Sequence, residues 1–111
     1  MNYDVIVFEE AKKFILSLQP KMQAKIQRTI GLLEEFGFSL PLPHSNKIQG
    51  TKELFELRVK LGSDICRLFY FHWKGKFFVI LSGYVKKENK TNPNEIQKAL
   101  KIIEIVKGEV E

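Results

Sequence analysis

The sequence predicts an α+β fold: a small antiparallel sheet with an N-terminal helix hairpin and a C-terminal helix. Three observations predict it. Apolar residues recur at helical spacing from Phe14 to Leu33 and again from Ile96 to Ile103. Between those segments, three apolar or alternating runs of strand length follow one another with turns of two to four residues, the pattern of an antiparallel meander. The chain, residues 1–111, has a hydrophobic share of 44%, enough to close one core, and no repeat or linker divides it into a second domain.

The elements follow in order. "YDVIVF" reads as a short opening strand, and Phe14, Ile15 and Leu18 mark the apolar stripe of a first helix. Pro20 breaks that pattern and suits the first turn of a second helix, whose buried face is Met22, Ile26, Ile30 and Leu33 and whose stop is Gly37. In "SLPLPHSNKIQGTKE", Pro41, Pro43 and Gly50 exclude a regular element, so this segment is expected to be a loop. In "ELFELRVK", Phe55, Leu57 and Val59 alternate with Glu56, Arg58 and Lys60, which predicts a half-buried strand. "ICRLFYFHW" is apolar on both faces and is expected at the centre of the sheet, and "KFFVILSGYV" is the third strand. Asn92, Pro93 and Glu95 fit the N-cap, first-turn proline and capping-box glutamate of a last helix that buries Ile96, Ala99, Leu100 and Ile103. The tail "KGEVE" is expected to fray.

Composition narrows the chemistry. No apolar run reaches the ~18 residues of a membrane span, and "MNYDVIVFEEAKK" lacks the basic region and apolar stretch of a signal peptide, so a cytoplasmic location is expected. Cys66 is the sole cysteine, which excludes an intrachain disulfide and fits a reducing compartment. His44 and His72 offer no zinc spacing, and no metal or cofactor is expected. The formal charge of +5 points to an anionic partner: RNA, DNA or an acidic protein.

Cationic residues then stand out by position. Arg67 shares its alternation set with Ile65, Phe69 and Phe71, where a guanidinium is costly unless it is paired or faces a wet groove. Two arrangements satisfy it: a buried pair with an acid such as Glu56, or a ligand on an uncovered sheet face. Arg58 lies on the polar face of the adjacent strand, and strands about 4.8 Å apart let two arginines share one phosphate. The segment "GYVKKENKTN" places Lys86, Lys87 and Lys90 where the sheet gives way to the last helix. Lys47 and Lys52 precede the first meander strand and Lys60 ends it, so these cations are expected to converge on one sheet edge as an RNA-binding set. Tyr84 either stacks on a base or is a core aromatic with its hydroxyl at the surface.

Taken in order, Glu56-Leu57-Arg58, Arg67-Leu68-Phe69-Tyr70, Lys86-Lys87, Lys90-Thr91, Pro93, Glu95-Ile96 and Ala99 resemble the RelE/ParE superfamily of bacterial toxins, more closely its phage-derived, HigB-like branch. One extra residue, Asn92, precedes the proline of that pattern, and Ser82 stands where several relatives carry a histidine. The resemblance implies a RelE-like fold and the toxin of a type II toxin–antitoxin system. It implies a metal-independent endoribonuclease that cuts mRNA on the ribosome and is neutralised by a cognate antitoxin, with operator DNA reached only through the antitoxin. In that chemistry a ribose 2′-hydroxyl attacks the adjacent phosphate. One of Lys86, Lys87 or Lys90 would act as base, since crowded lysines disfavour one another's charge. Arg58 and Arg67 would stabilise the phosphorus centre, and Tyr84 would donate a hydrogen bond. Two alternatives stay open: a non-nucleolytic toxin that binds a protein target such as gyrase, and a non-catalytic nucleic-acid-binding domain.

Overall fold

Proline and glycine set the limits of the helix hairpin. In the computed structural model, which describes residues 2–41, 43–86 and 92–110 apart from the side chains of 86, 109 and 110, α1 spans Glu9–Leu16 and α2 spans Pro20–Phe36. Pro20 is the first residue of α2, and Gln19 before it is extended, as a residue preceding proline prefers. Gly37 ends α2 at φ 54°, where its N–H donates to the Leu33 carbonyl. A Cβ there would fall 2.1 Å from the Tyr3 ring, so both backbone and space require glycine. Met22, Ile26, Ile30 and Leu33 are buried, as their spacing predicts.

The strands are β1 (Asp4–Val7), β2 (Ser45–Lys47), β3 (Phe55–Leu61), β4 (Asp64–His72) and β5 (Phe77–Lys86), in the spatial order β1-β5-β4-β3-β2. β3, β4 and β5 form the expected antiparallel meander. The sheet as a whole is mixed, because β1 lies parallel to β5, from Asp4 opposite Phe77 to Val7 opposite Ile80. The chain returns to β1 through the entire hairpin and meander, a crossover long enough for parallel pairing. The segment expected to be a loop also needs correcting. It begins within a 3-10 turn, Gly37–Ser39, and holds β2, which pairs antiparallel with Phe55–Leu57. A proline removes a donor at its own position only, and Ser45–Lys47 contains none.

The hairpin packs on one face of the sheet against Leu57, Val59, Cys66, Leu68, Phe78 and Ile80. α3, Pro93–Val110, packs on the other against Phe69, Phe71, Val79 and Leu81 through Ala99, Ile102, Ile103 and Val106. Lys98 bridges to Glu10 of α1 at 2.8 Å and Lys107 to Glu53 at 2.7 Å. Val106 is buried and Lys107 bridges to Glu53, and the helix runs on through most of the segment expected to fray, to Val110.

A register shift between β4 and β5 decides which side chains face α3. Phe69 pairs with Ser82 and Tyr70 with Ile80, so Leu81 is an extra residue, a β-bulge. Before the bulge, the even positions Phe78 and Ile80 face the hairpin; after it, Gly83 and Val85 do, opposite Leu68 and Cys66. Ser82 and Tyr84 are thereby turned to the α3 face. Gly83 has no room for a side chain, since a Cβ would sit 2.6 Å from Leu68 and 2.7 Å from the Phe14 ring.

Two outcomes follow from this packing. Gly83→Ala should lower unfolding stability by about 1–3 kcal/mol in urea denaturation, because two core side chains must move. Burial pushes the Cys66 thiol up from 9.0 to about 12. The unfolded chain therefore releases this proton first, and the associated stability is complete below pH 9 and lost as pH rises towards 12. Urea titrations across that window should show a shallower decline for Cys66→Ala than for the wild type.

Candidate functional site

Strand register lays the polar residues of the α3 face out in rows. Arg58, Arg67 and Tyr84 lie directly opposite one another on β3, β4 and β5. Lys60, Ile65 and Lys86 form the row towards the open end of the sheet, and Glu56, Phe69 and Ser82 form the row under α3, with Asn46 of β2 beside Glu56.

Like charges directly opposite on paired strands repel, and Glu56 resolves the conflict. Its carboxylate, 1% exposed, accepts a hydrogen bond from Arg67 Nη1 at 2.9 Å, and Arg58 Nε lies 3.7 Å from the same oxygen. Of the two arrangements open to Arg67, the structure adopts the buried pair: Arg67 is 0% exposed. Arg58 is the outer member, with 28% of its side chain accessible.

Tyr84 completes the row. Its ring stacks on Phe69, with centroids 5.9 Å apart, and its hydroxyl accepts the Asn92 N–H at 2.8 Å. Burial raises its pKa above the usual phenol value, so the phenol is protonated at neutral pH. Asn92 is the N-cap of α3, accepting the Asn94 N–H at 2.9 Å. The capping box is corrected, since the backbone donor that Glu95 would accept goes to Tyr84. Ser82 lies beneath α3, 1% exposed, and its hydroxyl has no partner among the described residues.

The other cations divide. Lys60 is exposed beside Arg58, and Lys86 holds its place in the open-end row by backbone register. Lys87 and Lys90 lie outside the described residues. Lys47 sits opposite Phe55, in the alternation set that faces the hairpin, and Lys52 lies in the turn before Leu54. Phe55 and Arg58 are about 10 Å apart along β3 and face opposite sides of the sheet, so Lys47 does not join the arginine row. The His72 ring packs on Phe38 at 4.9 Å and shares a hydrogen bond with the Gly75 carbonyl, a structural role. Among the described residues no group of three or more His, Cys, Asp or Glu can hold a metal ion, and no helix is long and apolar enough to cross a membrane. Sequence reasoning missed Asn46, which is legible only once β2 is known, and Lys25 of α2, whose ammonium donates to the Lys60 carbonyl; nothing in its sequence context marks it.

The family model described as phage derived protein Gp49-like (DUF891) matches residues 13–104. The chain belongs to this family. No curated protein matches it in sequence. Among solved structures, the Gp49-like chain is similar to one from the archaeal RelE–RelB complex of Pyrococcus horikoshii OT3, at 25% identity over 81% of this chain and 100% of that one, with a TM-score of 0.57. It is similar to a doubly substituted mutant of the E. coli toxin RelE in the free state, at 22% identity over 91% and 97%, TM-score 0.65. It also resembles a chain of the intact E. coli RelBE toxin–antitoxin complex, at 22% identity over 79% and 99%, TM-score 0.56. The Gp49-like chain thus has a RelE-like α+β fold.

The Glu56 pairs make a thermodynamic test. Arg67→Ala should cost about 3–5 kcal/mol by leaving a buried carboxylate without its nearest partner. Arg58→Ala, at a part-exposed site, should cost about 1 kcal/mol or less. Replacing Glu56 by Leu together with Arg67 by Met should restore most of the Arg67→Ala loss, as read by denaturant titration of all variants.

Proposed function

We propose that this chain is the toxin of a type II toxin–antitoxin system, a metal-independent endoribonuclease that cuts mRNA on the ribosome and is neutralised by a cognate antitoxin in the cytoplasm. The observation that carries the reading is the row Arg58–Arg67–Tyr84 at the open end of a RelE-like sheet. Family membership and the likeness to RelE–RelB and RelBE complexes support the toxin and antitoxin parts.

The row suggests a division of labour. Arg58 is the accessible guanidinium and would meet the phosphate as charge builds on its oxygens. Arg67, held behind it on Glu56, is a positioning residue: it fixes the carboxylate that orients Arg58. The Tyr84 phenol, protonated at neutral pH, can donate to a phosphate oxygen or to the leaving 5′-oxygen. The base that takes the 2′-hydroxyl proton is assigned to one of Lys86, Lys87 or Lys90, with Lys60 beside them on the RNA path. Lys47 and Lys52 would serve as outlying RNA contacts only. The site has no histidine acid–base pair, so rate must come largely from positioning, which the ribosome can supply by holding phosphate and 2′-hydroxyl in line.

One observation favours a second reading, a toxin that binds a protein target such as gyrase without cleaving RNA. Arg67 is fully buried against Glu56, which leaves fewer charges for a phosphate.

Primer extension on a reporter mRNA after expression in a bacterium separates these readings. The nuclease should give cuts at codon positions that require translation, and Arg58→Ala should reduce them roughly 10²–10³-fold. Equal cleavage of naked RNA would refute ribosome dependence. Growth arrest with a DNA-damage response and uncut mRNA would establish the second reading.

A further inference from the structure

The two edges of the sheet are managed differently. At one, Pro43 precedes β2 and lacks the N–H that would extend its ladder. Where β2 no longer covers β3, the Lys25 ammonium donates to the Lys60 carbonyl. Proline and lysine both blunt an edge against pairing. The other edge is β1, which pairs with β5 and has no strand on its outer side among the described residues. It holds no lysine, proline or bulge. Its one charge, Asp4, is bridged by Lys76 at 3.4 Å. Val5 and Val7 pack towards the hairpin, so Ile6 faces the α3 side, where it is 47% exposed.

Hydrogen bonding shows which groups of β1 are left over. The Asp4 N–H donates to the Lys76 carbonyl and the Phe8 N–H to the Ile80 carbonyl. Main-chain groups alternate sides along a strand. Those of Asp4 and Ile6 therefore face β5, and those of Val5 and Val7 point outward. This outward set is self-complementary. When a second β1 lies antiparallel about a two-fold axis at Ile6, Val5 of each copy meets Val7 of the other, and each pair exchanges both main-chain bonds.

Charges fit the same register. Asp4 of the second copy stands opposite Phe8, which packs on the α3 side, and Lys98 of α3 reaches Glu10 just beyond it. Asp4 thus arrives beside an ammonium. On the hairpin side, Val7 and Lys12 share a groove next to the edge. Val7 meets Val5 of the second copy, close to Tyr3, whose N–H donates to the Glu34 carbonyl. Lys12 therefore faces the end of the second copy's α2, whose last turn carries Glu34 and Glu35 and no basic residue. Acids at a helix C-terminus oppose its dipole, and a lysine there relieves them.

We propose that β1 is a self-association edge: two copies of this chain join β1 to β1 as an antiparallel pair centred on Ile6. The inference is independent of the toxin reading. The joint sheet keeps β3 of each copy, with Arg58, away from the contact, so association leaves both candidate sites open. The paired edge is short, which places the dimer among weak, concentration-dependent complexes.

Sedimentation of the full chain from micromolar to millimolar concentration should show a monomer–dimer equilibrium. Ile6→Lys sets two ammonium groups against each other at the axis and should raise the dimer Kd by roughly tenfold or more. Lys12→Glu should also weaken the dimer, and adding Glu35→Lys to it should restore affinity. Facing residues at a non-hydrogen-bonded position lie about 4.5 Å apart, within the range of a disulfide. Ile6→Cys should therefore cross-link to itself under mild oxidation faster than Asp4→Cys, while the native thiol of Cys66 stays buried. In the wild type, amide exchange at Val5 and Val7 should slow as concentration rises, and exchange at Val59 and Lys60 should not. A monomer at every concentration overturns the proposal, as does a dimer that Ile6→Lys leaves intact. Faster cross-linking by Asp4→Cys overturns the register and the pairing with it. Protection of Val5 and Val7 only when another protein is added gives the edge to that partner and likewise overturns self-association.

Discussion

One buried carboxylate sets the geometry of the α3 face. The β3–β4 ladder puts Arg58 and Arg67 directly opposite each other, an arrangement that repels unless an anion lies between them. Water cannot supply that anion, because Arg67 and Glu56 are both sealed from solvent. Glu56 is bound at this spot, and the packing above it excludes water. Phe69 opposite Glu56 and α3 over Phe69 provide that cover. The pair is a weak argument for stability by itself, since well-packed apolar residues often do as well. Its effect is directional: two arginines on separate strands are held to one point, and only the outer one reaches solvent.

The bulge at Leu81 is the second constraint, and it is backbone in origin. Strand side chains alternate with a period of two, so one extra residue transfers everything after it to the opposite face. Without it, Tyr84 would share the hairpin face with Phe78 and Ile80. With it, Tyr84 stands beside Arg67 and reaches the backbone of Asn92. The chain then enters α3 from a fixed place, and the cap of that helix is tied to the row that holds the arginines. Gly83 is the companion requirement, because the shift brings that position against Leu68 and Phe14 with no space for a methyl group.

These two constraints explain which parts of the molecule are legible in the sequence. The hairpin and the three meander strands declare themselves through periodicity, since burial of one face imposes a repeat on residue type. β1 is legible as the short apolar run "YDVIVF", but its parallel partner is not, because β5 lies at the far end of the chain, and β2, a three-residue edge strand, carries too few positions for a pattern. The bulge is invisible for another reason. "FFVILSGYV" is apolar on both faces, so no alternation exists whose break could be seen. Arg67 was conspicuous as a charge among aromatics, but its environment depended on whether the face above it was covered, a tertiary question. Lys47 looks like a member of a cationic group in composition, yet register puts it in the alternation set of the opposite face from the arginines.

At 22–25% identity to these solved chains, what persists is the fold. A fold does not carry a function with it; a site placed on the fold does. In the row Arg58–Arg67–Tyr84 the accessible charge is one guanidinium at a boundary. Arg58 leans inward on Glu56, faces outward at the open end of the sheet, and borders the uncovered edge of β3. In the proposed reading, a substrate phosphate would seek that group from outside while Glu56 holds it from within.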